Sequence, residues 1–257
     1  MTKEPNIVLL DIETAPSVGM YFDLWKEGNI VSREKSWYIL SFSYKQLGSS
    51  KTTTFALNDF NGYAKDKEND FKICQKLAEV LSDADIIIAH NGDGFDIPKI
   101  NARLIKWGIR PPAPYQTIDT YKIAKRYFSF ESNKLDDLGE YLGVGRKIST
   151  GGIKLWKGCM SGDKESWRLM KKYNAQDVVL LEKVYMVLRP WTTNHPNLRV
   201  YIEGEGCPVC GKTHVQRRGY STTRTGRKQR FQCVGTTSSP GCGAWSHGKS
   251  EKIVTIR

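Results

Sequence analysis

The chain has 257 residues, 39% of them apolar, which is enough for one ordinary core and a small second module. It carries 39 Lys and Arg against 27 Asp and Glu, and this net charge of +12 favours a polyanionic partner. No stretch approaches the roughly 20 apolar residues of a membrane span, and no signal-peptide-like run begins the chain. We therefore expect an intracellular, cytoplasmic protein without a membrane role.

The chain begins with strands and continues with alternating helices and strands, which favours an α/β layered domain. Apolar runs with β-branched and aromatic residues predict strands at 6–12, 37–45, 52–57 and 84–89. Helical periodicity predicts helices at 70–81, 97–107, 132–142 and 164–188. We expect Ser132 to cap the third of these helices. Pro190 and Pro196 close the last helix, so we place a domain boundary there, between 1–196 and 197–257.

The first predicted strand ends in two acidic residues, Asp11 and Glu13. Residues two apart on a strand point to the same face, so the two carboxylates would lie side by side. Carboxylates in an apolar setting repel each other, and a bound divalent cation removes that conflict. A solvated strand end that happens to be acidic would give the same two-residue pattern.

A second polar group follows the strand at 84–89 and includes Asn91, Phe95 and Asp96. Asp96 leads a helix, so its carboxylate is either a helix cap or part of an acidic site. The Asn91 amide could bind a terminal nucleotide or orient the loop. The Phe95 ring could stack on a base or pack in the core.

The last predicted helix carries Tyr173 and Asp177, four residues apart and therefore on one face. Asp has poor helix propensity. A metal ligand would explain its position in mid-helix, with the neighbouring Tyr hydroxyl orienting a water. An exposed Asp beside a half-buried Tyr is the other interpretation. Among the remaining acids, we expect Asp119 to cap a helix rather than bind a metal.

Together the three segments resemble the exonuclease motifs of the DnaQ-like 3′–5′ exonucleases, in the ribonuclease H-like superfamily. The motifs occur in that family's order over residues 6–188, as Asp-x-Glu, then Asn-x3-Phe-Asp, then Tyr-x3-Asp. The middle motif is most similar to that of family-B DNA polymerase proofreading domains, and Tyr173 is typical of the tyrosine (DEDDy) subtype. The resemblance implies a ribonuclease H-like α/β fold, with helices flanking a mixed sheet that has one antiparallel strand.

The resemblance also implies a two-metal-ion mechanism with two Mg²⁺ or Mn²⁺ ions. It makes Asp11 the ligand that both ions share. Glu13 and Asp177 would bind the ion beside the attacking water. Tyr173 would position that water, and Asp96 would act on the leaving-group side through water.

Four of the six cysteines lie in the tail, where residues 201–257 carry 10 Lys and Arg against 3 Asp and Glu. In a chain without a secretory signal, such clustering favours a metal over disulfides. A Cys-x2-Cys knuckle and two later cysteines predict one structural Zn²⁺. Its ligands would be Cys207, Cys210, Cys233 and Cys242. His214 and His247 are alternative ligands.

Between these cysteines the sequence predicts a β-hairpin with a basic tip and interleaved aromatic residues. We expect its basic side chains to contact phosphates: Arg217, Arg218, Arg224, Arg227, Lys228 and Arg230. The segment resembles the zinc ribbons of transposase-like and phage proteins. Zinc would supply most of the stability of so small a module. A solvated hairpin that only solubilises the module is the alternative.

A further basic group, Lys147, Lys154 and Lys157, flanks a Gly-rich segment before the third motif. This segment is either a contact for the substrate backbone or a flexible surface loop.

These features predict a metal-dependent 3′–5′ exonuclease that hydrolyses DNA, with a zinc ribbon that holds nucleic acid or a replication or recombination protein. An RNA exonuclease or a structure-selective endonuclease is one alternative, because nothing in the motifs separates DNA from RNA. A catalytically idle nucleic-acid-binding protein is another. The compact nuclease-plus-ribbon layout suggests a bacterial or phage setting.

Overall fold

The structure is a computed structural model that describes residues 4–22, 30–202 and 204–252. Its strands are, in chain order, β1 (Ile7–Thr14), β2 (Val18–Met20), β3 (Ser32–Lys35), β4 (Ile39–Gln46), β5 (Thr52–Ala56), β6 (Ile86–Ala89), β7 (Gln116–Asp119), β8 (Val215–Thr223), β9 (Gly226–Cys233) and β10 (Trp245–Lys252). Its α-helices are α1 (Phe71–Asp83), α2 (Asp96–Lys106), α3 (Thr120–Tyr127), α4 (Leu135–Tyr141), α5 (Ile153–Ser161) and α6 (Lys164–Leu188). Within the described ranges, no helix combines the length and the apolar character that crossing a membrane would require.

Five strands form the central sheet, in the order β5-β4-β1-β6-β7. β6 runs parallel to both β1 and β7, whereas β4 runs antiparallel to both β1 and β5. β4 is therefore the one strand of this sheet that opposes the other four. The mixed sheet that the family resemblance implied is confirmed.

The side chains of β1 alternate between the two faces of this sheet. Val8, Leu10 and Ile12 belong to a core cluster with α1, α2 and α5. Ile7 and Leu9 pack in a second cluster with α3, α4 and the C-terminal half of α6. Asp11 and Glu13 continue the row of Ile7 and Leu9. The fold therefore points both acids towards the α6 side of the sheet.

α6 runs antiparallel to β1 along this face. Near its middle, Asn174 hydrogen-bonds to Asp11, towards the C-terminal end of β1. Just after its last turn, Arg189 lines a cavity with Asn6 and Ile7, at the N-terminal end of β1. The helix rises about 22 Å between Asn174 and Arg189 at ~1.5 Å per residue. Asn174 therefore lies at the C-terminal end of β1, and Arg189 lies at its N-terminal end.

Most of the predicted elements are confirmed: β1, β4, β5, β6, α1, α2 and α6 lie where the hydrophobic pattern placed them. The predicted cap of α4 is wrong. That helix begins at Leu135 with Lys134 in the cap position, and Ser132 lies two residues earlier. The Ser132 hydroxyl instead accepts from the Lys134 N–H and donates to the Asp137 carboxylate. The sequence pattern missed β2, β3, β7 and α5 and indicated α3 only through its predicted cap, Asp119. These elements are short or lack a strong apolar period.

The tail forms its own antiparallel sheet, in the order β10-β9-β8. The predicted basic hairpin is confirmed as β8 and β9. A small core of buried side chains comprises Cys207, Val209, Cys233 and Ala244. Leu198 connects this module to the larger unit, because it packs in the second core cluster while its N–H donates to the Pro208 carbonyl at 2.7 Å. The domain boundary at 196 stays a prediction.

Candidate active site

Three of the four predicted acids converge near the C-terminal end of β1. Asp11 and Glu13 from β1 and Asp177 from α6 each place one carboxylate oxygen within 4.8 Å of the others. Asp177 is fully buried, and its Oδ1 has no hydrogen-bond partner among the described residues. Leaving a buried carboxylate oxygen without a partner costs free energy, so this arrangement favours a bound cation.

Crowding and burial raise the pKa of each of these carboxyl groups. Burial, followed by the charges of Glu13 and Asp177, raises the pKa of Asp11 well above its ordinary value. Burial and the charge of Asp177 raise the pKa of Glu13 to about 8. Burial also raises the pKa of Asp177, although Lys147 opposes this rise. A divalent cation would stabilise the ionised forms, and three carboxylates suit a hard cation such as Mg²⁺ or Mn²⁺.

Asp96 lies beside this cluster rather than within it. It is buried as the first residue of α2, and its Oδ1 accepts a hydrogen bond from the Ile12 N–H at 3.0 Å. Because Ile12 lies between Asp11 and Glu13, this bond fixes the start of α2 against the acidic end of β1. Burial raises the pKa of Asp96 to about 7. Its negative charge in turn helps to raise the pKa of both Asp11 and Glu13.

Tyr173 and Asp177 both contact Lys147, which the sequence indicated only as one of three basic residues beside a Gly-rich segment. The Lys147 ammonium lies 2.7 Å from Oδ2 of Asp177 and donates to the Tyr173 hydroxyl at 3.0 Å. Burial lowers the pKa of Lys147, but the charges of Asp177 and Asp11 outweigh it and the pKa rises. Burial raises the pKa of Tyr173 as well, so its hydroxyl keeps its proton at neutral pH. Lys154 and Lys157 lie on α5 instead.

Asn174 is a residue of this site that the sequence reasoning missed. It is buried on α6, and its Nδ2 donates to Oδ2 of Asp11 at 2.5 Å. Its Oδ1 accepts from the Ser41 hydroxyl of β4 at 3.2 Å. Asn174 lies three residues before Asp177, on the same helical face. That spacing is the one sequence signal that could have indicated it.

Trp156 of α5 is a second residue that the sequence reasoning missed. Its indole lies near Glu13 and opposes the rise in the pKa of that carboxyl group. Its ring packs edge-on against Tyr173, with 6.1 Å between the ring centroids. Trp156 thus lies beside both an acid of β1 and the tyrosine of α6, and no local sequence pattern indicated it.

The loop between β6 and α2 carries Asn91 and Phe95. Asn91 adopts a left-handed conformation with φ of 61°, and its N–H donates to Oδ1 of Asp119 at 2.9 Å. Asp119 also accepts two backbone N–H groups of the first turn of α3, so its predicted role as a helix cap is confirmed. Phe95 is 38% exposed, and the Lys99 ammonium lies 5.0 Å from its ring centroid. The ring is therefore open to a ligand.

The four predicted zinc ligands also converge. Their four Sγ atoms all lie within 4.8 Å of one another, and they belong to Cys207, Cys210, Cys233 and Cys242. The Sγ atoms of Cys207 and Cys242 are 3.6 Å apart, which is close to the ~3.8 Å expected for two thiolates on a tetrahedral zinc. His214 and His247 do not belong to this cluster of described residues.

The cysteine cluster lies far from the carboxylates. Cys210 lines the same cavity as Asn6 and Ile7, which lie at the N-terminal end of β1, whereas the carboxylates lie near its C-terminal end. The basic side chains predicted to contact substrate lie on β8, on β9 and in the turn between them, and all are exposed or half-buried. The structure thus groups the predicted functional residues into two separate sites.

Comparisons with known proteins agree with this fold. A family model for the RNase H superfamily matches residues 20–189, which are well over half of this chain. DNA polymerase III PolC-type from Ureaplasma parvum serovar 3 is 43% identical over 60 residues, which are 23% of this chain and 4% of the polymerase. The structure of the family B DNA polymerase from the archaeon Pyrobaculum calidifontis aligns with a TM-score of 0.54 and 16% identity, over 78% of this chain and 27% of that chain. This chain therefore spans only a small part of either polymerase. The extent of the family match shows that the chain belongs to the RNase H superfamily.

Proposed function

We propose that this chain is a metal-dependent 3′–5′ exonuclease that hydrolyses phosphodiester bonds of DNA. The observation that carries this proposal is the convergence of Asp11, Glu13 and Asp177, whose oxygens lie within 4.8 Å of one another. Membership of the RNase H superfamily supports a nuclease, and the names of the two polymerase relatives support DNA as the substrate. The polarity rests on the order of the three motifs and on the tyrosine in the third.

Two divalent cations fit the acidic residues of this site. Asp11, Glu13 and Asp177 would hold one ion, and Asp11 would be shared with the second ion, near Asp96. The cations would supply an activated water and neutralise charge on the scissile phosphate when bound. The unpartnered Oδ1 of Asp177 supports this assignment, because a cation would satisfy it.

The remaining side chains of the site would orient the reactants. Tyr173 keeps its proton, since burial raises its pKa, and its hydroxyl can therefore donate a hydrogen bond to the attacking water. The Lys147 ammonium lies beside the Asp177 carboxylate. When a divalent cation neutralises that carboxylate, Lys147 can contact a phosphate instead. Asn174 holds Asp11 in place. Asn91 and Phe95 would contact the terminal nucleotide.

We further propose that residues 197–257 form a module with one structural Zn²⁺ bound by its four cysteines. Such a module would hold nucleic acid, or a replication or recombination protein, next to the nuclease domain of residues 1–196. Its basic hairpin supports the first of these partners.

A time course on 3′- and 5′-labelled DNA and RNA, single- and double-stranded, tests the proposed activity. With Mg²⁺ or Mn²⁺, 5′-labelled DNA should shorten one nucleotide at a time, while a 3′ label should be released at once. The double variant Asp11→Ala, Asp177→Ala should lose this activity and still bind nucleic acid. Full activity in that variant would show that the acidic site is wrongly assigned.

The same time course separates the alternatives. Faster degradation of RNA than of DNA would indicate an RNA exonuclease, and cleavage of a 3′-blocked strand would indicate an endonuclease. Absence of turnover with either cation, together with retained binding, would leave a nucleic-acid-binding protein.

A further inference from the structure

The sheet of the cysteine module has two faces that differ in charge. Cross-strand pairs share a face, so the register of β8, β9 and β10 assigns each side chain to one of them. We call one the Tyr220 face; it carries Arg217, Tyr220, Arg227, Phe231 and Glu251. We call the other the Trp245 face; it carries Lys228, Arg230, Gln232, Trp245 and His247.

The Tyr220 face is partly neutralised and partly covered. The Arg227 guanidinium lies 4.3 Å from the ring centroid of Tyr220, and its Nε donates to the Glu251 carboxylate at 2.9 Å. Towards the cysteines, Phe231 lines a groove together with Glu205 of the preceding loop, and Arg199 and Lys249 line the same groove. On this face Glu251 thus compensates Arg227, whereas Arg217 forms no ion pair with any described residue.

The Trp245 face keeps its positive charge uncompensated. Glu251 is the one acid among the residues of β8, β9 and β10, and its pairing with Arg227 places it on the other face. Lys228 and Arg230 lie two apart on β9 and form no ion pair with any described residue. Unlike Arg227, both cations are available to a ligand.

An exposed aromatic ring accompanies these cations. Trp245 is 50% exposed at the start of β10, and the Arg230 guanidinium lies 5.7 Å from its ring centroid. His247 pairs with Arg230 in the strand register, and it also lines the groove that Phe231 lines. A row of cations with an exposed indole beside it combines phosphate binding with a surface on which a base can stack.

We propose that the Trp245 face binds single-stranded nucleic acid. A duplex keeps its bases stacked inside, so it could use the charges of this face but not the indole. A protein partner would instead favour an apolar centre with few charges. This proposal rests on the proposed nuclease function in one point. The single strand bound by the Trp245 face would be the same strand whose end lies at Asp11. Because the cysteine end of the module lies at the opposite edge of the central sheet, this segment would lie several nucleotides from the scissile bond.

Two double variants with matched chemistry test this assignment. Arg230→Gln with Trp245→Leu removes one arginine and one ring from the Trp245 face. Arg227→Gln with Tyr220→Leu removes the same groups from the Tyr220 face. Both are made in the Asp11→Ala, Asp177→Ala background, and binding of a dT20 strand, a U20 strand and a 20-base-pair DNA duplex is followed by fluorescence anisotropy over a range of salt concentrations.

We expect the Trp245-face variant to bind the single strands about tenfold or more weakly, in keeping with base stacking on an aromatic ring. The slope of log affinity against log salt should become shallower by about 0.7 for each phosphate that the variant no longer neutralises. The Tyr220-face variant should bind with an affinity much closer to that of the parent protein. A Trp245→Phe variant should retain most of the affinity, because a ring remains for stacking. Preference for dT20 or for U20 would identify the natural strand, and either result supports the proposal.

Equal reductions in affinity in the two double variants, or duplex binding as tight as single-strand binding in the parent protein, would overturn the proposal. Zinc content of one per chain in each variant serves as the folding control. The Trp245 substitution could reduce the zinc content. In that case the double variant Lys228→Gln, Arg230→Gln replaces it in the comparison, because it leaves the ring in place. Binding is measured without turnover, so a protein that binds through Trp245 and cuts nothing would contradict only the nuclease function.

Discussion

Asn174 donates a hydrogen bond from Nδ2 to Oδ2 of Asp11 at 2.5 Å, and so ties the middle of α6 to the acidic end of β1. The side chain of Asn174 is itself held by the Ser41 hydroxyl of β4. Three elements of the fold thereby fix the orientation of one carboxylate. In metal-binding proteins, partners that orient a ligand without touching the metal set both ligand geometry and affinity, and Asn174 would be such a partner if Asp11 binds the proposed cation.

We expect Asn174→Ala to lower metal affinity or turnover by about 10- to 100-fold, because Asp11 would then lack the donor that orients it. Calorimetric titration with Mn²⁺ measures the affinity, and initial rates on labelled DNA measure the turnover. Ser41→Ala is the matched control, since it removes only the support of Asn174 and should have a smaller effect. Wild-type affinity and turnover in Asn174→Ala would show that Asp11 is oriented by other contacts.

Replacement of Lys147 should destabilise the protein when no divalent cation is present. The ammonium is the partner of the fully buried Asp177, so Lys147→Met would leave that carboxylate uncompensated, at a cost of about 1–3 kcal/mol in the free energy of unfolding. Urea unfolding without Mg²⁺ or Mn²⁺ measures this loss. Lys147→Met combined with Asp177→Asn should recover much of it, because the buried charge is then absent. An equal loss in the combined variant would mean that Lys147 acts through packing.

The stability of the cation-free protein should depend on pH through the acidic cluster. The pKa of Glu13 rises from 4.5 to about 8 on folding, so between these values the folded state binds more protons than the unfolded state. The contribution of Glu13 is therefore complete below about pH 4.5 and is lost as the pH rises through about 8. The rise in the pKa of Asp96 to about 7 acts in the same direction.

Urea midpoints at several pH values, with and without Mg²⁺, test this dependence. Added Mg²⁺ should stabilise the protein more at the alkaline end, where the ionised carboxylates bind it. The Glu13→Gln variant should show a shallower dependence on pH. A cation-free stability that increases across this range would contradict the assigned pKa shifts.

Removal of the proposed zinc should unfold the tail and spare the proposed nuclease domain. The buried core of the tail is small and contains two of the cysteines, whereas the two large core clusters lie around the central sheet. We expect Cys210→Ser to make the region after residue 197 sensitive to protease while the fragment before it resists. Mass spectrometry of the digest identifies the cleavage sites, and Cys74→Ser is a control for loss of a thiol outside the cluster. Cleavage throughout both units would show that zinc stabilises the whole chain.

The motif spacing was enough to predict the acids and the cysteines, because both rest on local geometry. Asp11 and Glu13 share a strand face, and Tyr173 and Asp177 share a helix face, whatever packs around them. Cys207 and Cys210 form a knuckle by the same local logic. The structure brings together the groups that these patterns indicated, with Asp96 beside the cluster rather than in it.

Contacts between distant segments could not be predicted in this way. Asn174 meets Asp11 across 163 positions, and Lys147 meets Asp177 across 30, so no local period indicates either contact. The division of the basic tail into two faces follows from strand register and from a bulge between Arg217 and Tyr220. A one-residue change in register exchanges the faces of a strand, and composition alone does not determine that register.

By itself, therefore, the sequence determined the chemistry that this protein carries: carboxylates on one strand and one helix, a tyrosine beside them, and four thiols in a basic tail. The carboxylates and the tyrosine follow from residue type and a period of two or 3.6, and the thiols follow from the knuckle and the clustering of cysteines in the tail. Long-range packing of the folded chain sets which polar groups orient the acids, which lysine compensates Asp177, and how far the cysteine cluster lies from the carboxylates. Those relationships arise where α6 packs antiparallel to β1, and long-range packing cannot be deduced from local periodicity.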